Sequence, residues 1–175
     1  MPRWRSSADR VETSVLITVK ELQPGQVEEV DSRLPLSRLD RQEDSTYLIA
    51  WEDDRPVGHA HVAWSGTHLG LPEIQDVFVL PELRRRGIAS QLTHAAEDEA
   101  RRRGCDRISL SVSRSDNPVA AQLYAKLGYV DAGVAPVRVL GQIMLRGRPF
   151  AVDDTLVYLA KDLSRPRQPG RRQRG

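Results

Sequence analysis

PELRRRGIASQL, residues 81–92, joins two kinds of sequence. Ahead of it the apolar run IQDVFVL, residues 74–80, has the composition of a strand. Behind it Ile88, Leu92, Ala96 and Ala100 recur at helical spacing, predicting a helix over 87–103 that stops at Gly104. A strand that runs directly into a helix leaves the helix's first N–H groups without partners inside it. Those donors, at the positive end of the helix dipole, form an anion site. Gly87 admits backbone angles that other residues avoid and lets a ligand approach the main chain, and Ala89 is small enough to allow the same. Arg84, Arg85 and Arg86 add positive charge around the spot. A diphosphate would be held there by backbone more than by side chains. A basic helix start on a solvated face is the plainer reading of the same residues.

Working outward, 14–20 (SVLITVK) reads as a strand and 26–33 as a helix. The segment 34–45 is irregular, with room for a second short helix. TYLIAW (46–51) and VGHAHVAW (57–64) are strands, and the turn residues between them make a hairpin. On the other side, RISLSV (107–112) alternates like a strand. Asp116 and Asn117 can cap a helix with Pro118 at its first position, and that helix ends at Gly128. Strands follow at 129–134, at 137–145 and, after the RGRP turn, at 155–160. A strand–helix–strand unit over 74–112 implies a right-handed crossover and parallel pairing. The hairpin implies antiparallel pairing. The expected fold is α/β with a mixed, mostly antiparallel sheet flanked by helices.

The chain has 175 residues, enough for one domain with a continuous core. The expected organisation is a disordered segment over 1–12, a single domain over 13–163 and a disordered arginine-rich tail over 164–175. The net charge of +2 becomes −3 once the five arginines of 165–175 are set aside, so the domain has no basic excess that argues for nucleic acid. The single cysteine, Cys105, excludes an internal disulfide and a cysteine metal cluster, and a small buried side chain is its expected role. His59 and His61 alternate on a strand with no third ligand nearby, so no metal is expected. No stretch reaches the roughly 18 apolar residues of a membrane span, and residues 1–12 lack the apolar run of a signal peptide. A cytoplasmic location is the default expectation.

Two patterns stand about thirty residues apart in this frame. Val79, Pro81, Glu82, Arg84, Gly87 and Ala89 spell V-x-P-E-x-R-x-x-G-x-A, and Asn117, Ala120, Leu123, Tyr124, Lys126, Leu127, Gly128 and Tyr129 spell N-x-x-A-x-x-L-Y-x-K-L-G-Y. Together, at two strand–helix junctions, they resemble the GNAT superfamily of acyl-CoA-dependent N-acyltransferases. The match is good over 73–133.

The resemblance implies a task for each matching residue. Backbone N–H groups of Arg85, Arg86, Gly87, Ile88, Ala89 and Ser90 would cradle the pyrophosphate of coenzyme A. Arg84 matches an Arg/Gln of that loop, where holding the loop in place is an equal alternative. Phe78 and Val79 lie where the main chain would bond the pantetheine arm and polarise the thioester carbonyl. Tyr124 matches the general acid that meets the departing thiolate, and Asn117 a cofactor-side asparagine that its capping role alone would explain. Many relatives carry a Glu-Asp pair on the strand before the loop. Here Gln75 replaces its first member and cannot act as a base. Asp76 matches the second, and Glu73, two residues from Gln75, would share its face on a regular strand.

The implied activity is N-acetyl transfer from acetyl-CoA, as co-substrate, to a primary amine of a small molecule or peptide, by direct attack in a ternary complex. A non-catalytic acyl-CoA-binding module or sensor with a basic docking tail is the alternative, kept open by Gln75. Self-association as a homodimer also stays open.

Overall fold

The computed structural model describes residues 16–39, 44–114, 118–145 and 148–164. The expected disordered segment 1–12, the tail beyond Ser164 and Asn117 lie outside them. Strands β1 (Ile17–Glu21), β2 (Ser45–Glu52) and β3 (Arg55–Ala63) form an antiparallel meander, which β4 (Glu73–Val79) continues. The hairpin between β2 and β3 turns at Asp53, whose φ of 52° lies in the left-handed region that aspartate tolerates. Helix α1 (Val27–Arg33) follows β1 through a 3₁₀ turn at Pro24–Gln26. Helix α2 (Ile88–Arg102) carries the chain from β4 to β5 (Arg107–Ser113), the parallel neighbour of β4. Helix α3 (Pro118–Lys126), β6 (Val130–Asp131), β7 (Val137–Leu145) and β8 (Arg148–Asp162) complete the chain. The sheet runs β1-β2-β3-β4-β5-β8-β6, with β7 paired to β8.

Alternation along the central strands splits the core between the two faces of the sheet. Leu48, Ala60, Val62, Ile74 and Leu110 meet the apolar stripe of α2, whose Ile88, Leu92, Ala96 and Ala100 are all buried. On the other face Tyr47, Ile49 and Trp51 meet Val30 of α1 together with Leu34 and Leu36 beyond it. Residues 34–39 form turns instead of a second short helix. Leu34 and Leu36 anchor that segment at 1% and 2% exposure, which holds it across the sheet.

Two strands differ from expectation. The last one begins at Arg148, because β7 supplies its first half with a hydrogen-bonding partner all the way to Leu145↔Arg148. The strand expected over 129–134 shrinks to β6, because Gly133 turns at a φ of 76° and its N–H bonds Asp131 Oδ1 at 2.7 Å. Cys105 is half-buried at the start of the run into β5, less enclosed than expected.

Candidate active site

Strands β4 and β5 pair only at Glu73↔Ser109 and Ile74↔Leu110. Beyond that they diverge. β4 stays with β3 as far as Gly58↔Val79, while β5 stays with β8 as far as Ser113↔Leu156. Past Ile74, the edge of β4 that faces β5 therefore has no ladder partner in the sheet. The wedge between the strands is a cleft of about 180 Å³ lined by Gln75, Asp76 and Val77 of β4, Ser111 to Ser113 of β5, and Ala120 and Tyr124 of α3. Drug-sized ligands occupy pockets of roughly 300–1,000 Å³, so this wedge fits the end of a chain-like molecule, not a whole nucleotide.

The register of β3 against β4 slips by one between Val62↔Ile74 and His61↔Asp76, leaving Gln75 as an extra residue. Such a bulge re-aims side chains and is frequent beside functional sites. It corrects the expectation of a regular strand. Glu73 pairs with Ala63 and Asp76 with His61, so Glu73 and Asp76 share a face, three positions apart. The extra residue also turns toward the segment after α1. Arg38 Nη1 donates to Gln75 Oε1 at 3.3 Å, and Ser37 Oγ donates to Asp76 Oδ2 at 3.2 Å.

Tyr124 is 8% exposed, with its ring edge-on to Tyr129 at 5.7 Å between centroids. Burial pushes its hydroxyl up to about 12, and the nearby Asp76 charge pushes the same way. Tyr47, on the far side of Asp76, is also raised to about 12, chiefly by burial, with Asp76 adding to it and the N–H of Arg38, bonded to its hydroxyl at 2.9 Å, opposing. Asp76 thus lies within electrostatic reach of two phenols on different elements. Glu73 is 5% exposed and absent from the cleft lining. Its charge acts instead on Tyr158, whose ring stacks on His68 at 4.6 Å.

At the end of β4 the loop doubles back on itself. Arg84 Nε donates to the carbonyl of Val79 at 3.1 Å, and its guanidinium lies 6.0 Å from the Phe78 ring, so it braces the turn. Arg86 pairs with Glu52 at 3.4 Å. Arg85 takes a φ of 63° and Gly87 one of 79°. A left-handed non-glycine residue costs roughly 1–2 kcal/mol, and such strain gathers where a backbone shape is itself used. The Gly87 carbonyl accepts the first bond of α2 from Gln91 at 3.0 Å, leaving the N–H groups ahead of it without an intrahelical acceptor. A Cβ built on Gly87 would meet nothing within 4 Å, so the space above it is open. Ile88 is buried in the core, and Ala89 packs partly against it while its carbonyl accepts from Thr93 Oγ1 at 2.8 Å. Ser90 is half-buried one position further along α2.

Sequence reasoning missed Ser37, Arg38, Ser111 and Ser113 around the cleft. The β5 serines alternate with the buried Ile108 and Leu110 and were legible as the polar face of that strand. Ser37 and Arg38 had no local signal, since a fold-back across the sheet brings them there. Among the described residues no three His, Cys, Asp or Glu side chains group as metal ligands, and no helix is long and apolar enough to cross a membrane.

The acetyltransferase (GNAT) family model matches residues 16–129. Among solved structures, the chain resembles a Bacillus subtilis acetyltransferase in complex with CoA (TM-score 0.63, 19% identity, 84% of this chain and 99% of that one). It also resembles a GNAT family acetyltransferase of Elizabethkingia anophelis with acetyl-CoA bound (TM-score 0.61, 16% identity, 83% and 97%). A third is the spermidine/spermine N-acetyltransferase of Vibrio cholerae (TM-score 0.58, 14% identity, 85% and 94%).

Proposed function

The chain belongs to the acetyltransferase (GNAT) family, and on that premise we propose that it transfers acetyl from acetyl-CoA to a primary amine of a small molecule or peptide by direct attack in a ternary complex. The observation that carries this reading is the divergence of β4 from β5, with Asp76 on one wall of the opening and Tyr124 on another.

The turn at Arg85 to Gly87 fits a diphosphate by its backbone. Two left-handed residues precede a helix start of open N–H groups, and the space above Gly87 is open to a ligand's approach. Arg86, Ile88, Ala89 and Ser90 contribute main chain to it, while Arg84 serves by bracing. Phe78 and Val79 offer the free edge of β4 to a pantetheine arm. Bound acetyl-CoA supplies an activated acyl thioester.

The chain's own groups then have separate tasks. A primary amine is protonated at neutral pH, with a pKa near about 10.4 for a lysine-like amine, and must lose that proton before it can attack. Asp76 is the carboxylate in the cleft that can orient and receive it. It supplies an acid beside Gln75, which favours transfer over a non-catalytic module. Glu73, buried away from the lining, contributes charge at a distance. Tyr124, raised to about 12, remains protonated across the physiological range and can donate a hydrogen bond to sulfur. Complete transfer to a thiolate near about 8.5 would be uphill by about 5 kcal/mol, so hydrogen bonding to the leaving sulfur is the role its surroundings favour.

The test is release of free thiol from acetyl-CoA across a panel of primary amines, alongside calorimetric titration with acetyl-CoA. Amine-dependent thiol release supports transfer. Tight binding with no amine turned over would make the chain a sensor.

A further inference from the structure

The segment that leaves α1 is anchored along its length. Leu34 and Leu36 are buried against the sheet. Between them the Pro35 carbonyl accepts from His59 Nε2 at 3.1 Å, and further on the Arg38 N–H donates to the Tyr47 hydroxyl at 2.9 Å. Ser37 and Arg38 are therefore held in fixed places, and both reach the bulge on β4. Ser37 Oγ donates to Asp76 Oδ2 at 3.2 Å. Arg38 Nη1 donates to Gln75 Oε1 at 3.3 Å, and Nη2 to the Gln75 carbonyl at 3.5 Å. A bulged residue disrupts the ladder around it, and the Arg38 guanidinium gives Gln75 partners in place of that pairing. Neither Ser37 nor Arg38 lines the cleft, so both act on its wall from outside.

We propose, resting on the transferase reading above, that Ser37 and Arg38 are positioning residues for the amine acceptor site: Arg38 pins the bulge, and Ser37 fixes the carboxylate that follows it. The terminal torsion of an aspartate is soft, so its two oxygens can exchange places. The Ser37 bond commits Oδ2 and stops that rotation, which leaves Oδ1 to meet the incoming ammonium. The strand needs the same restraint at the main chain, because a slip of one residue would carry Asp76 to the other face of the sheet. By gripping both the side chain and the carbonyl of Gln75, Arg38 holds the register that puts Asp76 in the cleft wall. Reaction rates depend steeply on such placement, and a shift of about 1 Å can cost roughly 100-fold. The carboxylate therefore gains its orientation from a segment that never touches the substrate.

The experiment uses the full chain, acetyl-CoA and whichever primary amine of the panel the wild type acetylates fastest. Ser37 stands in a half-buried turn where alanine fits, so Ser37→Ala keeps the fold. It should lower kcat about tenfold while acetyl-CoA affinity, read by calorimetry, stays within about twofold of the wild type. Ser37→Thr keeps a hydroxyl at the same place and should recover the rate to within about threefold. Arg38→Lys keeps the charge but lacks the planar fork that spans both Gln75 oxygens, and should likewise lose about tenfold in kcat at unchanged acetyl-CoA affinity. A merely structural role would move affinity and rate together, or leave threonine no faster than alanine. Either result, or an unchanged kcat in Ser37→Ala or Arg38→Lys, overturns the proposal. Full activity in Asp76→Asn overturns it too, by removing the group that is positioned. A wild type that acetylates no amine instead removes the transferase reading, and this inference with it.

Discussion

The hydroxyl of Tyr129 donates to Glu97 Oε1 at 3.2 Å in the interior. Lys161 Nζ of β8 donates to the same oxygen at 2.8 Å, and His94 Nδ1 lies 3.4 Å from the other one. One fully buried carboxylate on α2 therefore holds both the last strand and the segment after α3, whose Tyr129 ring props Tyr124. Removing one partner from a buried charge pair costs about 3–5 kcal/mol. Glu97→Ala should lower the melting temperature by roughly 6–20 °C, and Glu97→Gln, which keeps an acceptor oxygen, by less. Thermal melts of both variants check this. A small equal shift would mean that Lys161 and Tyr129 find substitutes.

A second prediction concerns Gly58. A Cβ there would lie 2.7 Å from the carbonyl oxygen of Phe78, and its neighbours Leu92 and Val79 are each 3.4 Å away. The 2.7 Å contact is with main chain, so Gly58→Ala must push back the main chain of β4 opposite it. Overpacking of this kind costs about 1–3 kcal/mol. Because Phe78 and Val79 are the proposed pantetheine contacts, acetyl-CoA affinity should fall together with stability. Calorimetry at a temperature where the variant is folded separates the two losses, and unchanged affinity would free the Phe78 backbone from that role.

Much of this was legible in the sequence, for reasons that can be named. The loop at Gly87 is built from consecutive residues, so local pattern reported it. The Tyr124 helix announced itself through Pro118 and Gly128, and strand β4 through its β-branched residues. The bulge at Gln75 was not legible, since no residue in EIQDVFV requires it and it exists only as a slip against β3. Ser37 and Arg38 reach Asp76 and Gln75 because Leu34 and Leu36 are buried ahead of them, a tertiary fact without a local signature.

The buried phenols predict a falling stability curve at high pH. Tyr47 and Tyr124 both stand near 12 in the fold against about 10 in the unfolded chain, and Tyr129 is raised too, by burial and by Glu97. A folded pKa above the unfolded one means that the unfolded chain loses its proton first. The contribution is intact below pH 10 and disappears as pH rises from 10 toward 12. Each of Tyr47 and Tyr124 should account for about 3 kcal/mol over that window. Urea unfolding at pH 9 and pH 11.5 measures it, and Tyr124→Phe should show a shallower decline than the wild type.

At Gly87 the cost of substitution divides between fold and ligand. Its φ of 79° makes any side chain strained, yet nothing in the protein lies within 4 Å of the added atom. Gly87→Ala should therefore cost only about 1–2 kcal/mol of stability. Gly87→Val, with its branched chain standing over the turn, should remain folded and lose coenzyme A binding altogether. Normal calorimetric affinity in the valine variant would move the diphosphate away from this turn.

Tyr124→Phe separates the ring from the hydroxyl. The ring packs in the core against Tyr129, so phenylalanine preserves shape and the melting temperature should change little near neutral pH. The hydroxyl is the part assigned to the departing sulfur. Its loss should lower kcat by roughly 10²–10³-fold, the span of a single transition-state hydrogen-bond donor, with acetyl-CoA affinity nearly unchanged because the diphosphate grip lies at Gly87. Since burial, with help from Asp76, raises Tyr124, activity in the wild type should hold past pH 10 before the phenol ionises near 12, and the pH profile of Tyr124→Phe should lack that alkaline limb. Turnover unaltered by the substitution would remove Tyr124 from the chemistry and leave the sulfur to be met by water.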